Sequence, residues 1–210
     1  MDVSLSTIRT DVRVILDKNM SGEALAELGD VDTLSLDEMI ESKVVDAVRL
    51  VHSSAPYYRL DGLSDLSGDV VWDDLCCGHI ILPDDFMRLV SFKMSDWQRS
   101  VHEAIDVSDA RYALQGSKYK GVRGTPEKPV VAAVPYLGGL ALEFFSCRSE
   151  DATISAATYL PLPQWEDGTI AICKRLYRSA CHMTAALCAL SMGSVDTYNA
   201  LSEQAKNLME

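Results

Sequence analysis

The feature that most constrains the fold is a change in the spacing of apolar residues along the chain. Near both ends, apolar residues recur every three or four positions, which places them on one face of an α-helix. Between about residues 70 and 163, short apolar runs alternate with turn-forming residues, a pattern typical of strands and loops. The sequence therefore predicts an α+β fold, a helical framework of N-terminal and long C-terminal helices with a β-rich insert between them.

The clearest start signal belongs to the second helix. Ser35 and Glu38 have the spacing of a capping box, in which each side chain accepts a hydrogen bond from the other residue's backbone N–H. Pro56 closes the segment, because the residue before a proline leaves the helical region. These signals predict a helix between Ser35 and Pro56.

The remaining helical segments are less sharply bounded. Ser4 or Ser6 can cap a short first helix. Residues 17–34 are acidic and contain glycine, which predicts a connector with at most one helical turn, over residues 23–28. A long helix is expected over about residues 167–192 and a last helix over about residues 195–208.

The chain of 210 residues is expected to form one domain in three parts. Residues 1–56 hold the N-terminal helices, residues 70–163 the β-rich insert and residues 167–208 the C-terminal helices. The strand candidates lie at residues 80–82, 88–94, 130–134, 140–146 and 154–160.

The charge is unevenly distributed. The formal net charge is −12. Residues 1–110 hold 22 acidic and 9 basic side chains, a net of −13, whereas residues 111–210 hold 9 and 10, a net of +1. An acidic surface repels the DNA backbone, so tight wrapping of nucleic acid is not expected, whereas DNA can still pass nearby without binding.

One segment carries the functional prediction. Residues 115–129 are rich in glycine and basic residues, which predicts an exposed, mobile loop. A solvated surface loop is one interpretation, and contact with an acidic partner or with DNA phosphates is the other. The candidate contact residues are Arg111, Lys118, Lys120, Arg123 and Lys128.

The six cysteines do not form a recognisable metal motif. The stretch from Cys76 to His79 has adjacent cysteines, whereas a zinc knuckle usually separates them by two to four residues. Cys173, Cys181 and Cys188 fall near one helix face, where cysteine behaves as a small hydrophobe. Free thiols are expected, without metal or cofactor.

Other catalytic patterns are missing from the sequence. The carboxylate pair Asp73-Asp74 is adjacent along the chain, which points the two side chains to opposite faces of a strand. The pair Asp84-Asp85 follows Pro83 and is typical of a turn. No nucleophile elbow, phosphate-binding loop or zinc-protease motif occurs, and no enzyme is expected.

At mid-chain the sequence resembles the head–tail connector family of tailed bacteriophages, the adaptor or ring proteins of short-tailed and crAss-like phages. The resemblance covers roughly residues 80–210. It rests on Leu82–Ser91 followed by Trp97, Gly124-Thr125-Pro126 before a strand, Leu140–Phe145, Tyr159-Leu160-Pro161, and a long alanine-rich helix.

The resemblance implies a virion structural protein. Such proteins form a homo-oligomeric ring, usually a dodecamer, between the portal protein and the next tail or ring protein. The ring seals the head and gives genomic DNA a path during packaging and ejection. The expected location is the virion, after assembly in the host cytoplasm. No membrane contact is expected, because no run of about 18 apolar residues occurs.

Two other classes of function stay open. One is a small intracellular binding or regulatory module that dimerises through a helical face. The other is a thiol- or metal-dependent enzyme that uses Cys76, Cys77 and His79. Cyclic assembly needs two different complementary surfaces, and the contrast between an acidic half and a neutral half favours the ring.

Overall fold

A computed structural model describes residues 1–19, 35–73, 76–119, 121–145 and 147–210. About 38% of the chain is helical and 28% is in strands, with helical ends around a β-rich middle, so the predicted α+β class is confirmed. The chain divides into two compact units. Residues 1–61 and 162–210 form what we call the helical unit, and residues 62–161 form the β unit.

The helices described are α1 (Leu5–Asn19), α2 (Leu36–Ser54), α3 (Ala110–Gln115), α4 (Tyr177–Ser191) and α5 (Val195–Asn207). The longer strands are β4 (Cys77–Ile81), β5 (Phe86–Met94), β7 (Val131–Tyr136), β8 (Gly139–Phe144) and β9 (Ile154–Pro161). The shorter strands are β1 (Asp2–Ser4), β2 (Ser64–Asp65), β3 (Val71–Asp73), β6 (Ile105–Asp106), β10 (Trp165–Glu166) and β11 (Thr169–Ala171).

The predicted capping box is present at the start of α2. The Ser35 hydroxyl accepts from the Glu38 N–H at 3.4 Å, and the Glu38 carboxylate accepts from the Ser35 N–H at 2.9 Å. The helix ends at Ser54, just before Pro56. Ser4 caps α1, since its hydroxyl accepts from the Thr7 N–H at 3.3 Å. The predicted connector and its helical turn lie outside the described residues except at 17–19, where α1 continues to Asn19.

The predicted start of the long C-terminal helix at residue 167 is wrong, because α4 begins at Tyr177. Asp167 and Gly168 have φ angles of 48° and 75°, the left-handed pair that closes a tight hairpin between β10 and β11. Strand β11 also pairs antiparallel with β1 at the start of the chain. A small three-stranded sheet therefore replaces the first turns of the expected helix.

The core of the helical unit is built from α1, α2, α4 and α5. Small residues of α4, among them Cys181, Ala185 and Cys188, pack against the apolar stripes of the neighbouring helices. Cys173 is buried as well, just before α4. Burial raises the pKa of Cys181 to about 11 and that of Cys188 to about 12, so these thiols stay protonated. Their interpretation as small core residues is confirmed by this burial.

The β unit contains two sheets. Strands β3-β4-β8-β7-β6 form a five-stranded sheet, and β2-β9-β5 form a three-stranded one. Side chains from both sheets form one core, in which the Phe144 ring lies 5.9 Å from Phe92 and 6.5 Å from Trp97. A turn precedes β5, as predicted, with the Phe86 N–H donating to the Pro83 carbonyl at 3.0 Å.

The five-stranded sheet is covered on its second face too. Ile105, Val134 and Ala141 form a small buried cluster there, against which Tyr112 of α3 packs. The Tyr112 hydroxyl donates to the Glu143 carboxylate of β8 at 2.9 Å. This face positions both groups of candidate functional residues in the β unit.

Candidate functional site

The basic segment follows α3 and is anchored by one buried glutamine. Gln115 is 5% exposed, and its side chain donates to the Arg111 carbonyl at 2.7 Å and accepts from the Gly124 N–H at 2.8 Å. Lys118 and Lys128 are exposed, as predicted for this loop. The glutamine therefore ties together the two ends of the loop that displays Lys118.

The five predicted contact residues differ in how much free charge they offer. Arg111 forms a close ion pair with Asp109, at 2.6 Å, and this lowers the pKa of Asp109 to about 2. Arg123 is half-buried, and Lys120 lies outside the described residues. Among the residues that the structure describes, Lys118 and Lys128 have no ion-pair partner. They are the exposed charges that a partner could contact.

A second group of polar residues lies on strands β3 and β4. His79 is 7% exposed, and its Nδ1 lies 3.0 Å from the Asp73 carboxylate on the paired strand. Its ring packs 4.8 Å from the Tyr136 ring. Within the described part of the chain, His79 Nε2 is buried without a hydrogen-bond partner.

The chemistry available around His79 is limited. An Asp–His pair holds the proton on Nδ1, which leaves Nε2 as a proton acceptor. Cys77 lies two residues away on the same face of β4, but burial raises the pKa of its thiol, despite the opposing effect of Arg123. Among the described residues, no group of three or more His, Cys, Asp or Glu side chains is placed so that it could hold a metal ion. The geometry supplies a positioned base without an activated thiolate.

Sequence reasoning missed the most exposed apolar feature of the β unit, which we call the hairpin tip (residues 136–140). Leu137 and Gly138 join β7 to β8 with φ angles of 44° and 86°, a two-residue turn in which asparagine or glycine usually occupies the first position. Leu137 is 90% exposed, and Tyr136 and Leu140 are exposed beside it. Ile81, on the neighbouring β4, is 59% exposed. The sequence signal was a leucine before two glycines at a strand end.

The helical unit carries a concave surface, which we call the helical groove, with a volume of about 520 Å³. Leu50 and Pro56 line it near the end of α2, Met183 lines it on α4, and Tyr198 lines it on α5. Met209 and the charged Lys206 and Glu210 complete its wall, together with three serines. The groove combines residues far apart in sequence, so no local pattern announces it.

The serine hydroxyls of the helical groove are already bonded. Ser53 and Ser54 donate to the Leu50 carbonyl at 2.9 and 2.7 Å, and Ser202 donates to the Asn199 carbonyl at 3.0 Å. Because these donors are used within the helices, the serines add no free hydroxyl donor, and the groove combines apolar side chains with the two charges of Lys206 and Glu210.

No protein-family model and no curated protein sequence matches this chain. Across the described residues, no helix combines the length and apolar character needed to cross a membrane.

Proposed function

We propose that this chain is a virion structural protein, the ring-forming subunit of a head–tail connector in a tailed bacteriophage. The observation that carries the proposal is the cluster of exposed apolar side chains at one end of the five-stranded sheet. Ile81, Tyr136, Leu137 and Leu140 lie there without contributing to a buried core. Tyr136 and Ile81 lie on the face of the sheet that carries Ala141, and Leu140 lies on the opposite face, so the exposed apolar side chains surround this end of the sheet. Exposed apolar groups that lie close together mark a surface that a partner covers.

The conformation of Leu137 strengthens the argument. A leucine in the left-handed region costs about 1 kcal/mol relative to its ordinary conformations. Leu137 adopts this region to close the turn between β7 and β8, and at 90% exposure its side chain gains no burial within the isolated subunit. Burial against another protein would supply the missing stabilisation, at about 25 cal/mol per Å² of apolar surface.

The charge distribution fits a ring around passing DNA. In this proposal the acidic chain repels the DNA backbone, so the genome slides through a conduit without being trapped. Lys118 and Lys128 offer local contacts to an acidic partner, the portal protein or the next tail component. The resemblance of residues 82–91 to connector proteins falls on a turn and strand β5.

The test is the mass of the assembled protein. Native mass spectrometry and negative-stain imaging are applied to the purified chain, alone and mixed with the portal protein of the same virus. The expected results are a closed ring, with the twelve copies that the resemblance implies, and binding to the portal. A stable dimer in every mixture would instead favour the small regulatory module.

A second candidate function, an enzyme, is favoured by one observation. His79 is buried, oriented by Asp73, and has an unused Nε2 within the described structure. Such a pair can serve as a general base where a substrate reaches Nε2, an atom that is closed to solvent in this structure. Loss of turnover in both His79→Gln and Asp73→Asn, with the fold intact by circular dichroism, would support this candidate over the ring.

A further inference from the structure

We propose that the hairpin tip of one subunit packs into the helical groove of the next subunit, which makes the ring contact head-to-tail. This inference rests on the proposed ring function and names the surfaces that build it. Both surfaces belong to the same chain, so every copy offers one tip and one groove. A heterologous contact of this kind closes into a ring when the rotation between copies permits.

The two surfaces match in chemistry. The hairpin tip contains no charged residue and presents Tyr136, Leu137 and Leu140. The helical groove presents Leu50 and Met183 among its apolar residues, and methionine adapts its shape to an inserted side chain. Since the groove's serine hydroxyls are bonded to backbone carbonyls, a polar ligand finds few free donors, whereas an apolar side chain leaves no donor unpaired.

The two surfaces also match in size. A two-residue hairpin loop is narrow, because its strands lie about 4.8 Å apart. Just after the end of β4, the Leu82 N–H donates to the Leu140 carbonyl of β8 at 2.9 Å. The turn at Leu137 lies beyond this hydrogen bond, so it extends past the end of β4. The helical groove, at about 520 Å³, is as large as pockets that enclose small molecules, about 300 to 1,000 Å³, so it has room for one inserted side chain such as that of Leu137.

A local pair of opposite charges favours a sister subunit as the occupant. With a formal net charge of −12, two copies repel each other at long range, so the contact depends on apolar burial and on charges that pair locally. Exposed Asp84 follows the end of β4 that bonds Leu140, and exposed Lys206 lines the groove. These opposite charges can pair across the contact. Glu210 on the groove wall would repel an acidic occupant, whereas the hairpin tip carries no charge.

The decisive experiment uses two variants that each destroy one side of the contact. Leu137→Asp places a charge on the tip, and Leu50→Asp places one in the groove. Both leucines are substantially exposed, at 90% and 48%, so the fold should tolerate the changes. Leu190→Asp is the matched control, because Leu190 is 44% exposed and lies outside the groove.

Native mass spectrometry should find rings for the wild type and for Leu190→Asp. Each contact variant alone should associate about 30-fold more weakly or worse, as for the loss of an interface hot spot. An equimolar mixture of the two variants should form a one-to-one dimer and nothing larger, because each pair retains a single intact tip and a single intact groove.

Several outcomes overturn the inference. If either contact variant forms rings like the wild type, or if their mixture stays monomeric, the tip does not bind the groove, although wild-type rings still support the proposed function. If Leu137→Asp keeps its rings but loses portal binding, the tip serves the portal. If the wild type is monomeric alone and with the portal, both proposals fail together.

A photo-crosslinking measurement detects the contact directly. Benzoylphenylalanine replaces Leu137, and copies labelled with ¹⁵N are mixed with unlabelled copies to separate links between subunits from links within one. The expected links join position 137 of one copy to Met183 or Met209 of another, since both methionines line the groove. Links between copies that map only to other positions overturn the proposal.

Discussion

The helical unit and the β unit differ in what they do with apolar and reactive side chains. In the helical unit, Cys173, Cys181 and Cys188 are buried in tight packing, and His52 is wholly enclosed. In the β unit, the three cysteines are only partly buried, and Leu137 is exposed in a left-handed turn. The helical unit therefore encloses its cysteines in its core, whereas the β unit holds its cysteines nearer the surface and exposes a large apolar side chain at a strained turn.

The largest expected effect tests whether the two units hold separate cores. Replacing Phe144 with alanine empties the aromatic centre of the β unit, where its ring lies 5.4 Å from Trp72. The loss should be about 4 kcal/mol of unfolding free energy. Hydrogen exchange followed by mass spectrometry should show faster exchange mainly in residues 62–161.

The matched change in the other unit is Leu201→Ala, which removes a fully buried side chain of α5 at a cost of about 3 kcal/mol. Its faster exchange should be confined to the helical unit. Uniform acceleration along the chain in both variants would mean that the two cores unfold as one, and the comparison between units would lose its basis.

The next effect concerns pH and the buried His52. Its Nε2 accepts from the Cys173 N–H at 3.2 Å, and burial, with a smaller contribution from the amino-terminal charge, lowers its pKa to about 4 from 6.5. Between pH 6.5 and 4, the unfolded state therefore binds a proton at His52 that the folded state does not bind. The neutral His52 contributes about 3 kcal/mol to the free energy of unfolding above pH 6.5, and this contribution is lost as the pH falls towards 4.

Urea unfolding at pH 7 and pH 4.5 measures the effect, with His52→Gln as the test variant. The glutamine does not titrate, so its free energy of unfolding should fall much less between the two pH values than that of the wild type. His182→Gln is the control, because His182 is only half-buried and should leave most of the pH dependence in place. Equal slopes for wild type and His52→Gln would remove His52 as the cause.

Helix stripes and caps could be predicted because they depend on neighbouring residues. Ser35 and Glu38 are three positions apart, and their capping box forms as predicted. The start of α4 was misplaced since Ile170, Cys173 and Leu176 follow helical spacing, although the turn at Asp167-Gly168 has the sequence of a tight hairpin. Strand β1 pairs with β11 (Thr169–Ala171), which lies far from it along the chain, so no local sequence signal announces this contact.

The candidate surfaces were predicted only in part. Exposure of the basic loop followed from its glycines and lysines, but the neutralisation of Arg111 by Asp109 depends on side-chain geometry. The hairpin tip was not predicted, because the strand expected at residues 140–146 carries no signal of exposure at its start. The exposure of a strand end is set by the strands beside it in the sheet. The helical groove joins α2, α4 and α5, and only the folded chain brings their residues together.

A smaller effect tests the N-terminal cap of α2 in the helical unit. Replacing Ser35 with alanine removes the cap of α2 and leaves the Glu38 N–H without its acceptor. The expected cost is about 1 kcal/mol by chemical denaturation. Ser42→Ala on the same helix is the control. Among the described residues, the exposed Ser42 hydroxyl bonds only the Met39 carbonyl, so this change should alter stability by less than about 0.5 kcal/mol. Equal costs for the two serines would show that the capping box adds nothing.

The smallest expected change in unfolding free energy concerns Leu137, and its sign shows whether this leucine serves the fold or an association. Replacing Leu137 with asparagine suits the left-handed turn, so the isolated subunit should gain about 0.5 to 1 kcal/mol of unfolding free energy. Leu140→Asn, in the regular strand beside it, removes similar apolar surface without relieving the turn and should bring no gain. If Leu137→Asn stabilises the monomer and weakens ring assembly, the leucine is retained for association at the expense of the subunit's own stability. A destabilised monomer would show instead that Leu137 contributes to the fold of the β unit, and the contrast with the helical unit would narrow.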